Sequence, residues 1–211
     1  MDIEEKVAKR LGYTDLVIEH FKNPRNMGRM DDATTSAKVG SVACGDLIKI
    51  YLKIDEKTKR IEKSSFESYG CAANIATSSV LTEMVKGKTI EEARKITFND
   101  IAQALGGLPR IKMHCAVLSR QGLEAALLKY EIKSGQKILD KSLVERLLRG
   151  VLDPVMGTDI ISAGLVKDVK VEGKKVNITL KASGDVGKMI QDDIKEAFEG
   201  LDIEMNFHLI S

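Results

Sequence analysis

The chain has 211 residues, enough for one large domain or two small ones that each bury a core. Its 33 basic and 31 acidic residues leave a net charge of +2, which gives no electrostatic basis for binding nucleic acid or an anionic membrane. The 3 cysteines are widely spread and include no CxxC pair, which indicates a reducing compartment and thiols used for chemistry. Without a long apolar run or a leader, we expect a cytoplasmic protein.

The first third of the chain predicts a helix followed by an antiparallel sheet. A helical pattern over residues 1–21 breaks at Gly12 and restarts with Thr14 as its N-cap. Strands are predicted over residues 38–43, 47–54 and 61–69. The second strand is the clearest, because apolar side chains alternate with other residues along it, at Ile48, Ile50, Leu52 and Ile54.

Helical patterns follow the sheet and begin at residues that cap helices. Small residues from Ala72 favour a helix that approaches the sheet closely and ends at Gly87. Two short helices are predicted from pairs that can form capping boxes, which are Thr89 with Glu92 and Thr97 with Asp100. After Gly106, a long helix is predicted from about residue 116 to residue 133.

A polar stretch with a glycine marks the predicted domain boundary. We expect a first domain over residues 1–133, a linker over 134–137 and a second domain over 138–211. In the second domain, the sequence predicts a helix over residues 141–149 and a hairpin with strands over 166–171 and 175–180. An amphipathic helix over 185–199 and a last strand over 203–209 follow. The fold class is therefore α+β: a three-stranded antiparallel sheet packed by helices, and a small α/β domain with the order α-β-β-α-β.

The cysteines mark segments that can hold a metal, each at the end of a regular element. They are Cys44-Gly45-Asp46, Gly70-Cys71 and His114-Cys115. Glycine beside the first two cysteines permits tight turns and lets a ligand approach the backbone. Cys44 and Asp46 are two residues apart, so in an extended segment both side chains point the same way.

Cys115 is the cysteine most clearly placed for reaction. It falls at or near the first turn of the long helix, where unpaired backbone N–H groups stabilise a thiolate. Lys112 and His114 add positive charge nearby, so we expect the thiol of Cys115 to be acidified, with Lys112 as a tuner. A Cys–His hydrolase is the weakest interpretation, because adjacent residues seldom place the base on the nucleophile.

Together these segments supply one ligand more than a tetrahedral site needs. Thiolates, an imidazole and a carboxylate are available, at Cys44, Asp46, Cys71, His114 and Cys115. Thiolates suit iron–sulfur clusters and zinc alike, whereas a carboxylate is a poor ligand for a cluster that must stay bound. The surplus ligand indicates a site that exchanges its cluster, and zinc is the alternative occupant.

Residues 13–132 resemble the iron–sulfur cluster assembly scaffolds, the family of IscU and of the N-terminal domain of NifU. The matching stretches are HFKNPRNMG at 20–28, VGSVACGDLIKIYLKI at 39–54, FESYGCAANIATSSVLTEMVKGKT at 66–89 and GGLPRIKMHCAVLSRQGLEAAL at 106–127. The resemblance implies that Cys44, Cys71 and Cys115 hold a [2Fe–2S] cluster, with Asp46 or His114 completing it. It also implies that Cys115 accepts persulfide sulfur.

The resemblance implies partners as well. These are a cysteine desulfurase of the IscS or NifS type and apo iron–sulfur acceptor proteins, while a homodimer stays open. Arg110 is a departure, because the family typically has a second proline here, within the segment that an Hsp70-type chaperone binds. The departure puts the chaperone in doubt and leaves the ligands unaffected. No nucleic acid and no membrane partner are expected.

The second domain resembles more weakly the small domain of SufT-type assembly factors, of the MIP-eighteen family and of the N-terminus of Mrp-type carriers. Asp153-Pro154, Gly157 and residues 159–166 carry this likeness. Many members have a cysteine after the second hairpin strand, where this chain has Ser183-Gly184-Asp185. We therefore expect this domain to dock partners or to dimerise rather than to bind a cluster itself.

The whole sequence predicts a two-domain scaffold on which a [2Fe–2S] cluster is built from iron and desulfurase-derived sulfur and is then transferred. The protein is not expected to be an enzyme in the turnover sense. The alternative is a zinc-binding sulfurtransfer protein resembling SufU, in which the same ligands hold zinc and Cys115 relays persulfide. This alternative is less favoured, because the insertion that marks SufU between the second and third ligand segments is absent from the sequence.

Overall fold

The computed structural model describes residues 9–41 and 45–210. The first unit contains strands β1 (Thr35–Ser41), β2 (Asp46–Ile54) and β3 (Ile61–Tyr69). Its helices are α1 (Asp15–Lys22), α2 (Ala72–Val85), α3 (Ile90–Arg94), α4 (Phe98–Ala104) and α5 (Met113–Lys133). The second unit contains α6 (Lys141–Leu148), β4 (Val166–Glu172), β5 (Lys175–Lys181), α7 (Gly184–Ala197) and β6 (Glu204–Ile210).

Parts of two predicted elements lie outside the described residues. They are residues 1–8 of the first helix and the last two residues, 42 and 43, of the first strand. Cys44 lies outside the described residues as well. The α+β prediction is confirmed for the part of the chain that the structure describes.

The first sheet is antiparallel and has the strand order β1-β2-β3. The predicted alternation along β2 is confirmed, because its four isoleucine and leucine side chains on the core face are each 2% exposed or less. Helix α5 packs on β1 and β2, and α2 packs on β3 and on α5. Burying one such side chain contributes about 1.5–3 kcal/mol. A one-residue slip of register would expose the whole set, so the alternation fixes which face carries the core.

The helices of the first unit begin where side-chain chemistry predicts. Thr14 is the N-cap of α1 and accepts a hydrogen bond from the backbone N–H of Val17 at 3.1 Å. Both predicted capping boxes are complete, at the starts of α3 and α4. In the first unit, two bounds differ from the prediction by three residues. Strand β1 begins earlier, at Thr35, and α5 begins at Met113, directly after a 3-10 turn over Arg110–Lys112.

The second unit has the predicted α-β-β-α-β order. Strands β4 and β5 form an antiparallel hairpin, and α7 crosses over so that β6 pairs in parallel with β5. The alternating apolar residues of β5 are buried, as predicted. The apolar stripe of α7 is narrower than predicted, because Val186 and Met189 are 37% and 43% exposed. Val186 lies in the first turn of α7, and the packed stripe begins at Ile190.

Helix α5 belongs to the cores of both units. Leu123 and Leu127 pack in the core of the first unit, whereas Leu128 packs in the core of the second. The segment over residues 134–137 that follows α5 contains turns and bends. The two units are therefore joined by a shared helix as well as by this short segment. Within the described residues, none of the helices combines the length and the apolarity that a membrane span requires.

Candidate metal centre

Three element ends converge at one edge of the first unit. Asp46 is the first residue of β2, Cys71 is the N-cap of α2, and His114 and Cys115 lie in the first turn of α5. Antiparallel pairing explains part of this convergence, because the start of β2 lies beside the end of β3, and α2 follows β3 almost at once. The backbone N–H of Cys71 accordingly lies 3.4 Å from Asp46 Oδ1, to which it donates.

The side chains of these residues lie within the spacing of metal ligands. His114 Nε2 is 3.2 Å from Asp46 Oδ2 and 3.4 Å from Cys115 Sγ. Asp46, His114 and Cys115 can each offer one ligand atom so that all of these atoms lie within 4.8 Å of one another. The sulfur of Cys71 lies 3.7 Å from that of Cys115. Ligands at about 2.0–2.3 Å from a tetrahedral metal are separated by about 3.3–3.8 Å, so the group is compact enough to hold a metal.

The candidate ligands differ in depth. Cys115 has no exposed surface, Cys71 is partly buried, and the side chains of Asp46 and His114 are 20% and 56% exposed. Of the predicted ligands, Cys44 lies outside the described residues, and its role stays a prediction. The exposure of the described candidate ligands to solvent therefore increases from the buried thiol of Cys115 to the exposed imidazole of His114.

Asn74 is a residue of the site that the sequence did not predict. It is fully buried in α2 and donates from Nδ2 to Asp46 Oδ1 at 3.2 Å. Among the described residues, its Oδ1 has no hydrogen-bond partner. The sequence pattern did not mark this residue, because one asparagine in a helix of small residues forms no motif with a second polar residue. The carboxylate of Asp46 therefore has two side-chain hydrogen-bond partners, the buried amide of Asn74 and the exposed imidazole of His114.

Gly70 allows this arrangement. A Cβ at this position would lie 2.3 Å from Asn74 Nδ2 and 2.5 Å from Asp46 Oδ1. Any other residue would therefore displace the amide or the carboxylate. Glycine beside Cys71 was predicted to permit a tight turn and the approach of a ligand; in the structure it leaves room for the side chains of Asp46 and Asn74, and the approach of a ligand stays a prediction.

The thiols of Cys71 and Cys115 act as a pair. The hydrogen bond from Cys115 lowers the pKa of the Cys71 thiol to about 5. The same bond, together with burial, raises the pKa of Cys115. The prediction of an acidified Cys115 is therefore wrong for the metal-free protein. The helix start is present, but a neighbouring thiolate and complete burial outweigh its effect.

Lys112, the predicted tuner of Cys115, interacts more strongly with the thiol of Cys71. Partial burial opposes the shift, but Cys71 and Tyr13 raise the pKa of the Lys112 ammonium, which hydrogen-bonds to Cys71. Its charge also acts to lower the pKa of Cys115, but more weakly than Cys71 raises it. Lys112 therefore stabilises the negative charge that the two thiols share.

Two family models match the chain, one on each unit. The model described as "NifU-like N terminal domain" matches residues 12–137, which is more than half of the chain. The model described as "Iron-sulfur cluster assembly protein" matches residues 141–204.

The similar proteins include scaffold proteins from archaea and bacteria. The iron-sulfur cluster assembly scaffold protein IscU 1 of Archaeoglobus fulgidus is 49% identical over 146 residues, which cover 67% of this chain and 94% of that protein. The iron-sulfur cluster assembly scaffold protein IscU of Aquifex aeolicus is 43% identical over 59% of this chain and 79% of its own. The nitrogen fixation protein NifU of Azotobacter chroococcum is 41% identical over 75% of this chain, but this match spans only 51% of that longer protein.

Proposed function

The chain belongs to the family of the NifU-like N-terminal domain, and from this we propose that it builds a [2Fe–2S] cluster and passes it to apo-acceptor proteins. The observation that carries the proposal is the convergence of Asp46, Cys71, His114 and Cys115 within ligand distance. Relatives that are named scaffold proteins support it. The cluster is cargo rather than a resident cofactor, so the chain is a scaffold without turnover of its own.

The proposed ligands are the thiolates of Cys44, Cys71 and Cys115, with Asp46 or His114 in the remaining position. Asp46 and His114 hydrogen-bond to each other in the metal-free site, at 3.2 Å. Iron binding by His114 through Nε2 breaks this hydrogen bond, because one ring nitrogen cannot hold a proton and iron at once. An oxygen ligand is the weaker partner for iron in a cluster, so occupation by Asp46 favours release and occupation by His114 favours retention.

Sulfur enters as a persulfide from a cysteine desulfurase, and we assign its acceptance to Cys115. The thiolate of Cys115 attacks the outer sulfur of the donor persulfide, the donor S–S bond breaks, and the donor cysteine leaves as a thiolate. Each persulfide sulfur then needs two electrons from an external reductant to become sulfide. The desulfurase, the reductant and the apo-acceptor are therefore the partners that the proposal requires.

For the second unit we retain the boundary at residues 134–137 and a role in docking or dimerisation. The match to a cluster assembly family over residues 141–204 supports a place for this unit in the same process. It contains no cysteine, so it offers no thiolate to a cluster.

Anaerobic purification followed by reconstitution with iron and sulfide tests the function. We expect a coloured protein with the visible absorption of a [2Fe–2S] cluster and with iron and acid-labile sulfide in equal amounts. Bound zinc without visible absorption, in protein that still accepts persulfide, would instead support the zinc-binding sulfurtransfer alternative. Protein that binds neither metal would contradict both.

Asp46→Ala is expected to make the cluster more persistent. The substitution removes the labile oxygen ligand and frees His114 Nε2, which lies 3.4 Å from Cys115 Sγ, to bind iron. We expect cluster loss to a chelator to slow by about tenfold, the effect of about 1.4 kcal/mol. The measurement is the decay of visible absorption under excess chelator.

The matched control is Asp32→Ala, because Asp32 binds Lys53 at the opposite end of β2. We expect this variant to lose its cluster at the wild-type rate. Equal or faster loss from Asp46→Ala than from the control would show that Asp46 does not promote release.

A further inference from the structure

A cavity of about 270 Å³ lies between the two units, away from the candidate metal centre. Its lining includes Thr35 at the start of β1, Lys129 and Lys133 of α5, and Glu199, which follows α7 in the second unit. Lys129 lies on α5 about 21 Å along the helix axis from Cys115, at about 1.5 Å per residue. None of the described candidate ligands lines the cavity, so it is a separate site.

Lys129 brings a buried positive charge to this cavity. The residue is 2% exposed, and its ammonium donates to the carbonyl of Ala197 at 3.1 Å. An ammonium has three N–H donors, and this carbonyl accepts from one of them. Within the part of the chain that the structure describes, the nitrogen has no carboxylate at ion-pair distance. A buried charge without a counter-ion destabilises the folded protein, so an anion in the cavity would relieve that penalty.

Lys133 adds a second positive charge about one turn further along α5. Its ammonium donates to the carbonyl of Thr34 at 3.1 Å, and it too makes no ion pair over residues 9–41 and 45–210. Lysines four positions apart on a helix lie on the same face and repel each other. Burial lowers the pKa of Lys129 to about 8, Lys49 and Lys133 act in the same direction, and Glu199 does not offset them. The protein therefore supplies too little negative charge for the two lysines of α5.

The carboxylates that line the cavity are already paired with other cations. Glu199 Oε2 lies 3.1 Å from Lys49 Nζ, and Asp31 Oδ1 lies 2.9 Å from Arg29 Nε. The lining therefore carries four cations against two carboxylates, a net charge of +2. This excess is the charge of the two lysines of α5, and it matches a ligand with two negative charges.

We propose that this cavity binds a small dianion of the phosphate type through the ammonium groups of Lys129 and Lys133. A phosphate group carries close to two negative charges at neutral pH and presents several acceptor oxygens. Lysine binds such a group as a point charge, whereas a planar carboxylate is better matched by the fork of an arginine. The bound anion neutralises Lys129 at its contact with Ala197 and so stabilises the junction of α5 with the end of α7. This site goes beyond the scaffold function and does not depend on it.

A titration of metal-free full-length protein tests the site directly. Isotope-labelled protein is titrated at neutral pH with inorganic phosphate, and separately with sodium chloride at equal ionic strength, while two-dimensional NMR follows its backbone amides. We expect saturable shifts at Thr35, Lys129 and Gly200 with phosphate and none with chloride, because one negative charge does not neutralise two lysines. Glycerol phosphate, titrated in the same way, shows whether the site prefers a phosphomonoester or free phosphate.

Substitution of either lysine is expected to weaken phosphate binding. For Lys129→Met and for Lys133→Met we expect a loss of about tenfold, the effect of one hydrogen bond to a charged group. Lys133 is exposed, so its substitution keeps the test valid if Lys129→Met alters the packing between the units. The matched control is Lys95→Met, which removes the same charge from an exposed residue outside α5 and outside the cavity. We expect this control to bind phosphate with wild-type affinity.

Three outcomes would overturn the inference. Phosphate could give no saturable shifts beyond those of chloride, or Lys95→Met could weaken binding as much as the two substitutions in α5. Malonate, a dicarboxylate, provides the third arm, and binding as tight as that of phosphate would contradict the phosphate class. Every titration uses protein without iron, so these results are independent of whether the wild-type chain holds a cluster.

Discussion

Cys115→Ser is expected to accept no sulfur from a cysteine desulfurase, whereas Cys71→Ser is expected to accept sulfur to the wild-type extent and yet to hold no stable cluster. The two sulfur atoms are only 3.7 Å apart. The two variants therefore distinguish acceptance of sulfur from retention of the cluster at neighbouring thiols. Serine is close to cysteine in size, so neither change leaves a large cavity in the site.

The metal-free geometry sets a condition on this reaction. Cys115 is fully buried, and its hydrogen bond with Cys71 raises the pKa of its thiol. Acceptance of sulfur therefore requires that the site open locally and that the proton leave Cys115. Removing Cys71 does not obstruct this step, because Cys71 is the group that most raises the pKa of Cys115.

The measurement is whole-protein and peptide mass spectrometry after incubation with a desulfurase and cysteine, followed by alkylation. A mass increase of one sulfur on Cys115 in wild type and in Cys71→Ser, and none in Cys115→Ser, is the expected pattern. Circular dichroism of each metal-free variant controls for folding. Persulfide found chiefly on Cys71 or Cys44 in the wild-type protein would contradict the assignment to Cys115.

The features that the sequence predicted well are those with a local physical cause. A threonine three residues before a carboxylate can satisfy the backbone at a helix start by itself, and both such pairs form complete capping boxes. The alternation along β2 likewise required only that one face of a sheet be buried.

The features that escaped prediction depend on contacts between distant segments. Asn74 supports Asp46 across 28 positions of the chain, and no periodicity marks it. Helix α5 has apolar residues facing two cores, so no single stripe reveals that Leu128 serves the second unit. The acidity of Cys115 was predicted from its own helix, whereas the nearby thiol of Cys71, contributed by another helix, reverses it.

A second large effect is expected at Lys129, which α5 buries between the two units. The residue is 2% exposed, and its ammonium donates to the carbonyl of Ala197, the last residue of α7, at 3.1 Å. The carbonyl end of a helix attracts a cation. Burial nevertheless dominates and lowers the pKa of Lys129 to about 8, although Glu199 acts in the opposite direction. The folded protein therefore favours the neutral amine relative to the unfolded chain.

The direction of the pH dependence follows from this shift. Below pH 8 the lysine is charged in both states, and the folded state carries the full penalty of burying it, about 3 kcal/mol for a pKa lowered from 10.5 to about 8. Between these two values the folded state releases the proton while the unfolded chain keeps it, so the penalty is progressively relieved. Above pH 10.5 both states are neutral, and the penalty is gone.

Lys129→Met is therefore expected to stabilise the protein at neutral pH and to lose this advantage in alkali. Methionine keeps most of the volume, and the lost hydrogen bond to Ala197 costs about 1 kcal/mol, which leaves a gain of about 2 kcal/mol at pH 7. Urea unfolding of both metal-free proteins at pH values from 7 to 10 measures the difference. Lys95→Met is the control, because Lys95 is exposed and lies outside α5. A difference between Lys129→Met and wild type that stays constant across this pH range, or a variant less stable than wild type at pH 7, would show that the contact with the end of α7 outweighs the burial of charge.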